Sequence, residues 1–171
     1  MPMSEQTSTS NPPKTSLSHP SAEKLRIYGD FLYLSLRNPR YLRMSVSNLR
    51  SAIEPPIELG PYKIFRFDEV PRGLITWAWF NHDAEKRYVA GELLAPQDWR
   101  SGDHLWLIDI VAPYKGLTAS ISRWVMEPGN VTKREFWFRR VKGDKDTGRI
   151  VHVDFERPEG KSRMLDDSDF L

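Results

Sequence analysis

The sequence predicts a single α/β (α+β) domain built on one mixed β-sheet that is flanked by helices. The chain has 171 residues, which is enough for one compact domain and too few for two of ordinary size. Hydrophobic residues make up 39% and charged residues 28%, the balance of a soluble globular protein. Helical and strand patterns alternate along the chain without an internal repeat, and this order indicates one mixed sheet with helices.

Both ends of the chain are predicted to lie outside the domain, which should span residues 22–157. Residues 1–21 are rich in Ser, Thr and Pro with few large apolar side chains, so we expect a disordered tail. Residues 158–171 are polar and are expected to be loose. The first residues lack the apolar stretch of a secretory signal, and no apolar run approaches the roughly 18 residues of a membrane-spanning helix. We therefore expect a cytoplasmic protein with no membrane span.

Composition and motifs exclude several kinds of chemistry. The absence of cysteine rules out disulfides, thiolate catalysis and Cys-based zinc sites. The histidines at positions 19, 82, 104 and 152 have no metal-ligand spacing, and phosphate-binding and nucleophile-elbow motifs are missing. The net charge of +2 permits an acidic partner, while most aromatic residues lie in strand patterns that require a core. We therefore predict no metal, no bound cofactor and no nucleic-acid partner.

The helical pattern is clearest near the start of the domain. After Ser21, the stretch "LRIYGDFLYLSLRN" places apolar residues at helical spacing, and Pro39 is expected to end or kink this helix. A second short helix is predicted over "YLRMSVSNLRSAI", with Pro55-Pro56 as its end. Two later helices are predicted over residues 82–94 and 118–127.

Strand patterns fill the rest of the domain. A turn at Pro71-Arg72-Gly73 is predicted to separate the first two strands, and "KGDKDTG" is predicted to turn between the last two. The predicted strands are 62–67, 74–80, the buried strand 104–113, and the pair "REFWFRRV" and "GRIVHVDFE".

Asp109 is the one polar residue in the apolar run "LWLIDIVA". Because side chains alternate along a strand, Asp109 is predicted to share a face with Leu105, Leu107 and Val111, and His104 to lie on the other face. An unpaired buried carboxylate is costly, so Asp109 must be paired, protonated or at the mouth of a cleft. Two interpretations remain open at this point, a structural ion pair and a catalytic carboxylate.

Two clusters of basic residues are further candidates. Their charges fit either an ordinary solvated surface or a docking site for an acidic partner. The first cluster is Arg37, Arg40 and Arg43, and the second is Lys133, Arg134, Arg139 and Arg140.

The stretch "PQDWRSGDHLWLIDIVAPYKG" resembles the signature of the RTX toxin-activating lysine acyltransferases, D-W-x-S-G-D…W-x-x-D-x-x-A-P-[FY]. The resemblance extends upstream through "RGLITWAWFNHDAEKRY" and "NPRYLR…PPIELGPYKIFR", and covers about residues 25–155. It implies a GNAT-like fold, often dimeric, and transfer of a fatty acyl group from acyl carrier protein to a lysine ε-amine of an RTX-type protoxin. The acetyl-CoA loop of ordinary GNAT enzymes, Q/R-x-x-G-x-G/A, is missing, which suits a carrier-protein donor.

The resemblance also implies site residues, with one departure. Asp109 stands at the family's catalytic aspartate, and Arg140 is expected to act as a charge stabiliser. The family's catalytic histidine is replaced by Tyr41, and Asn38 replaces the Ser of its S-P pair. Tyrosine is a far weaker base than histidine at neutral pH. Two hypotheses follow: an acyltransferase in which Asp109 acts with Tyr41 as a proton relay, or a catalytically impaired relative that binds acyl carrier protein or an acylated partner.

Overall fold

A computed structural model of the chain describes residues 19–142 and 145–171. They form a six-stranded mixed sheet with helices, a single domain consistent with a GNAT-like fold, which confirms the predicted fold class. The helices are α1 (Ala22–Ser35), α2 (Pro39–Leu42), α3 (Val46–Leu59), α4 (His82–Val89) and α5 (Leu117–Val125), with 3-10 turns at Pro96–Trp99 and Asp167–Asp169. The strands are β1 (Tyr62–Phe67), β2 (Val70–Phe80), β3 (His104–Val111), β4 (Glu135–Lys142), β5 (Lys145–Asp154) and β6 (Ser162–Asp166).

The order of strands in the sheet follows their order in the chain, from β1 at one edge to β6 at the other. All neighbours are antiparallel except β3 and β4, which are parallel and are joined by the crossover helix α5. The parallel pairing involves only Trp106 with Trp137 and Leu107 with Phe138. The sheet therefore consists of two antiparallel halves that meet at a short parallel joint.

Helices cover both faces of the sheet. On one face, α1, α2 and α3 bury Phe31, Leu34, Tyr41 and Ile57 against strand residues that include Val111. Helix α4 and the Pro96–Trp99 turn pack further along the same face, around the indole of Trp106. On the other face, α5 packs its apolar side on Ile75, Leu105 and Leu107 and on residues of β4 and β5.

The first helix ends before Pro39, as predicted, whereas the prediction for Pro55-Pro56 was wrong. Pro39 begins α2, where a missing N–H costs nothing, and the side chain of Asn38 caps this helix by accepting from Arg40 N at 3.0 Å. Pro55 and Pro56 do not end the second helix, because α3 continues through them to a glycine cap at Gly60. Both prolines are buried, so their packing offsets the two backbone donors that the helix loses.

The first hairpin also turns at a different place. Val70, Pro71 and Arg72 belong to β2, and the chain reverses at Asp68 and Glu69, both of which have positive φ. Two consecutive left-handed residues match the twist of a two-residue hairpin, so the turn forms without glycine. The predicted turn at Pro71-Arg72-Gly73 was wrong. It was based on the turn-type composition of these three residues, whereas the position of the turn is set by the pairing register of β1 and β2, which cannot be seen in the sequence.

The predictions for the two ends of the chain compare differently with the structure. Residues 1–18 of the predicted tail lie outside the described residues, and Ser21 caps α1 by accepting from Lys24 N at 3.1 Å. At the other end, the expectation of a loose segment over 158–171 was wrong, because residues 162–166 form β6. This strand pairs with β5 from Arg149 to Val153 through its backbone, so its polar side chains do not prevent pairing.

Candidate active site

A β-bulge in β3 sets the direction of Asp109. Thr76 of β2 pairs with Asp109 and the next residue, Trp77, pairs with Leu107, so Ile108 has no partner of its own in the register. The extra residue reverses the alternation beyond it. Leu105 and Leu107 consequently face α5, whereas Asp109 lies on the face covered by α1 to α4. The prediction that these leucines share a face with Asp109 was wrong for this reason.

Asp109 accepts two hydrogen bonds from α2 on the same carboxylate oxygen. Its Oδ2 accepts from the hydroxyl of Tyr41 and, at 3.2 Å, from Nη1 of Arg40. The Asp109 side chain is 13% exposed and that of Arg40 is 46% exposed, so the ion pair lies at the boundary between the protein interior and the solvent. Among the described hydrogen bonds Oδ1 accepts none, and a substrate proton could be received on that oxygen.

Tyr41 is held in its protonated form. Burial raises the pKa of Tyr41 well above its usual value, and the negative charge of Asp109 adds to the effect. The phenol therefore donates to the carboxylate and does not accept a proton at neutral pH. The structure thus brings together two of the three predicted site residues, Tyr41 and Asp109, 68 positions apart in the chain.

Helix α2 explains how Arg40 and Tyr41 reach the same carboxylate. The Asn38 cap and Pro39 fix the start of this four-residue helix after α1. The Tyr41 side chain enters the cluster of Phe31, Leu34 and Val111, and its hydroxyl emerges at Asp109. Arg40 was predicted to belong to a docking cluster, but here its guanidinium bonds a candidate catalytic group.

The preceding part of the family-like stretch, "DWRSGD", has a structural explanation. Asp98 is buried, bonds the guanidinium of Arg87 with both oxygens at 2.7 and 3.1 Å, and accepts from Ala95 N at 2.9 Å. Ser101 bonds Asn81 N, and a Cβ at Gly102 would lie 2.4 Å from the carbonyl oxygen of Phe80. These residues fix the loop that leads into β3, and their separate roles could not be predicted from local sequence patterns.

Arg140 lies elsewhere. It is an exposed residue of β4 opposite Arg149, and alternation from Trp137 places its side chain on the α5 face, away from the face of Asp109. Its neighbour Arg139 turns inward, to Val89 O and to Asp167 at 3.3 Å. The second basic cluster is therefore divided between the two faces of the sheet.

The bulge also corrects the prediction for His104. It brings His104 to the same face as Asp109, yet His104 lies at the opposite end of β3 and contacts Glu85, with 3.0 Å between Nδ1 and Oε2. Trp106 donates to the same buried carboxylate at 2.8 Å. His152 is buried between Glu135 and Arg163 and stacks on Trp137. Neither of these two histidines takes the place of the family histidine beside Asp109.

The mixed sheet with a parallel joint and a partly buried carboxylate–phenol pair define a GNAT-like α/β domain with a candidate proton-accepting site. The profile of the RTX toxin acyltransferase family matches residues 20–154. The chain belongs to this family.

Named relatives share between 28% and 34% of the aligned residues. The RTX-II toxin-activating lysine-acyltransferase ApxIIC of Actinobacillus pleuropneumoniae is 28% identical over 130 residues, 74% of this chain and 79% of the relative. The leukotoxin-activating lysine-acyltransferase LktC of Pasteurella haemolytica-like sp. (strain 5943B) is 30% identical over 74% of this chain and 75% of the relative. The protein-lysine palmitoyltransferase CyaC of Bordetella bronchiseptica is 34% identical over 87 residues, 50% of this chain and 47% of the relative.

Proposed function

We propose that this chain transfers a fatty acyl group from acyl carrier protein to a lysine ε-amine of an RTX-type protoxin. The observation that carries the proposal is the position of Asp109, which a β-bulge turns onto the helical face and which Tyr41 and Arg40 hold there. Because the chain belongs to an acyltransferase family, acyl transfer is the reaction in which this carboxylate is proposed to act. The names of the relatives given above indicate the class of acceptor, which is the lysine of a toxin protein.

Each polar group has a role in this reaction. A lysine amine is protonated at pH 7 and must lose a proton before it can attack a thioester. Asp109 Oδ1 receives that proton, the amine nitrogen forms a bond to the thioester carbonyl carbon, and the carbon–sulfur bond breaks. The second proton of the amine goes to the departing thiolate. Tyr41 and Arg40 fix the carboxylate and do not accept protons themselves.

The donor and the oligomeric state in this proposal come from the family resemblance, and the compartment comes from the composition of the sequence. The donor is acyl carrier protein, the reaction takes place in the cytoplasm, and the enzyme forms a homodimer. Neither a metal nor a bound cofactor takes part, because the acyl donor is a substrate. In the part of the chain that the structure describes, every helix is too short or too polar to cross a bilayer. Arg140 remains a proposed charge stabiliser, and its side chain lies on the α5 face, away from Asp109.

A second candidate is a binding module without turnover. The observation that favours it is Tyr41, whose raised pKa removes the base that the family places there. Such a protein would hold acyl carrier protein or an acylated partner and would leave lysines unmodified.

Mass spectrometry separates the two candidates. An RTX protoxin is co-expressed with the chain and acyl carrier protein, and its lysine-containing peptides are searched for an added fatty acyl mass. Modification that disappears in Asp109→Asn supports the enzyme. Unmodified protoxin together with stable binding of acyl carrier protein supports the binding module.

A further inference from the structure

Two guanidinium groups near the candidate active site, those of Arg37 and Arg72, have no carboxylate partner among the described residues. Among the described residues, the ion pairs of this region join Arg66 to Asp30, Arg26 to Glu69 and Arg40 to Asp109. Arg37 and Arg72 take part in none of the described ion pairs; their described contacts are with aromatic rings and neutral oxygens. Two arginines that the described ion pairs leave without a carboxylate are suited to bind an anion.

A pair of tyrosines holds these arginines in place. The hydroxyls of Tyr33 and Tyr114 lie 3.0 Å apart, which joins α1 to the end of β3. The guanidinium carbon of Arg37 is 3.6 Å from the centre of the Tyr33 ring, and that of Arg72 is 5.1 Å from the centre of the Tyr114 ring. Hydrogen bonding to Tyr33 lowers the pKa of Tyr114, and Arg72 and Arg37 add smaller contributions in the same direction.

An apolar groove of about 420 Å³ adjoins the arginines. It is lined by Phe65, Arg66, Phe67, Arg72, Tyr114 and Leu117, and the side chain of Phe67 is mostly exposed. An anion bound at Arg72 would thus have a contact surface for the apolar part of the same molecule. The groove and the arginines together favour an amphipathic anion over a free inorganic ion.

The position of the cluster relates it to the candidate active site. Arg72 stands at a bulge of β2 against β1, and its guanidinium lies over the ring of Tyr114, which packs with the helices that cover the face of Asp109. Thr76 of the same strand pairs with Asp109. Four residues of strand separate Arg72 from Thr76, about 13 Å at roughly 3.3 Å per residue. A ligand with an anionic group at Arg72 therefore needs an extended arm to place a reactive group at Asp109.

We propose that Arg37 and Arg72, supported by the Tyr33–Tyr114 pair, bind the phosphate group of a phosphopantetheine-linked acyl donor. A phosphate has the charge and oxygen geometry that arginine recognises, and the pantetheine chain is the extended arm that carries the thioester. The inference rests on the proposed function, since it assigns a subsite for the acyl donor of that reaction.

Direct binding to the full chain tests this subsite without turnover. S-octanoyl-4′-phosphopantetheine is compared with S-octanoyl-pantetheine, which lacks the phosphate, by isothermal titration calorimetry. Wild type is expected to bind the phosphate form about tenfold more tightly, as for a charge-assisted contact. Arg37→Gln/Arg72→Gln should lose that preference, whereas the charge-matched control Arg123→Gln/Lys161→Gln on other surfaces should keep it. Equal affinity of wild type for the two compounds, or a preference that the double variant keeps, would overturn the proposal.

Titration with two larger acyl donors shows which of them delivers the phosphopantetheine arm to this site. Octanoyl acyl carrier protein and octanoyl-CoA are titrated in parallel, and the donor whose affinity falls in the double variant is the one that the site serves. If neither falls, the proposal is wrong. Phosphate-dependent binding in a chain that leaves protoxin unmodified would keep the subsite and reject the enzymatic function, so the two failures are distinguishable.

Discussion

The segment from Asp98 to Leu107 and the segment from Asp109 to Tyr114 are neighbours in the chain, but their polar groups have different surroundings. Asp98 is fully enclosed, and its partners are Arg87 and a backbone amide. Asp109 follows a bulge, is partly exposed and has both described bonds on one oxygen. A single family-like stretch therefore combines a structural carboxylate with a candidate reactive one, and the two differ in how many of their oxygens accept described hydrogen bonds.

The largest expected effect is the loss of acyl transfer in Asp109→Asn. The amide cannot accept the lysine proton, so the rate should fall about a hundredfold or more. The melting temperature should stay near that of wild type, because an amide oxygen can still accept from Tyr41. Single-turnover acylation and thermal unfolding measure the two quantities, with the exposed Asp103→Asn as control. A normal transfer rate in Asp109→Asn would remove the proposed base.

Gly102→Ala is expected to give the opposite pattern. Its Cβ would meet backbone atoms of Phe80 and Asn81 at 2.4 to 2.6 Å, so the free energy of unfolding should fall by about 3 kcal/mol. Denaturant unfolding checks this. Gly29→Ala is the matched control, because a Cβ there has no neighbour within 4 Å and an exposed helix gains from alanine. Equal stability of the two variants would contradict this prediction, because it would show that the loop before β3 accommodates a Cβ at position 102 by moving.

Tyr41→His should convert the positioning residue into a base. Imidazole titrates near pH 6.5, so the rate of transfer at pH 7 should rise about tenfold, with an inflection near that pH. Wild type should show no inflection from Tyr41 between pH 6 and 9, since the pKa of Tyr41 is raised. Single-turnover rates across this range test both statements, with Tyr41→Phe as the control. A rate that collapses in Tyr41→His would show that the phenol has a role of its own.

The smallest expected effect concerns alkaline stability. An unfolded tyrosine ionises near pH 10, whereas the folded protein holds Tyr41 protonated to higher pH. The stability that this contributes is complete below pH 10 and is lost as pH rises through the folded pKa. Between pH 9 and 11, wild type should lose on the order of 1 kcal/mol more than Tyr41→Phe, as measured by urea unfolding. Parallel curves would mean that Tyr41 ionises as freely in the folded state as in the unfolded one.

Local patterns predicted much of the fold and part of the site. The helical repeat before Leu36 and the apolar run at 104–113 correspond to α1 and β3. Tyr41 and Asp109 could be paired only through the family resemblance, because 68 residues separate them. The bulge at Ile108 was missed because it depends on the register with β2, which no local pattern encodes.

The other differences between the sequence predictions and the structure also arise from tertiary packing and strand pairing, which local patterns do not encode. Arg72 and Tyr114 gave little sign of their proximity, although Tyr114 occupies the aromatic position that ends the family-like stretch. Arg140 was proposed from the family resemblance, and strand alternation places it on the face opposite Asp109. Pro55 and Pro56 show that tertiary burial can outweigh a strong local breaker.

The parallel joint between β3 and β4 has a consequence for how the chain folds. Strands β1 to β3 form one antiparallel meander, with α4 in the connection between β2 and β3, and strands β4 to β6 form another, so each meander pairs only strands that are consecutive in the chain. Joining the two brings Leu107 to Phe138 across α5, through only two register pairs. The meanders are expected to assemble first and the joint last, which makes it the seam along which native fluctuations open most readily.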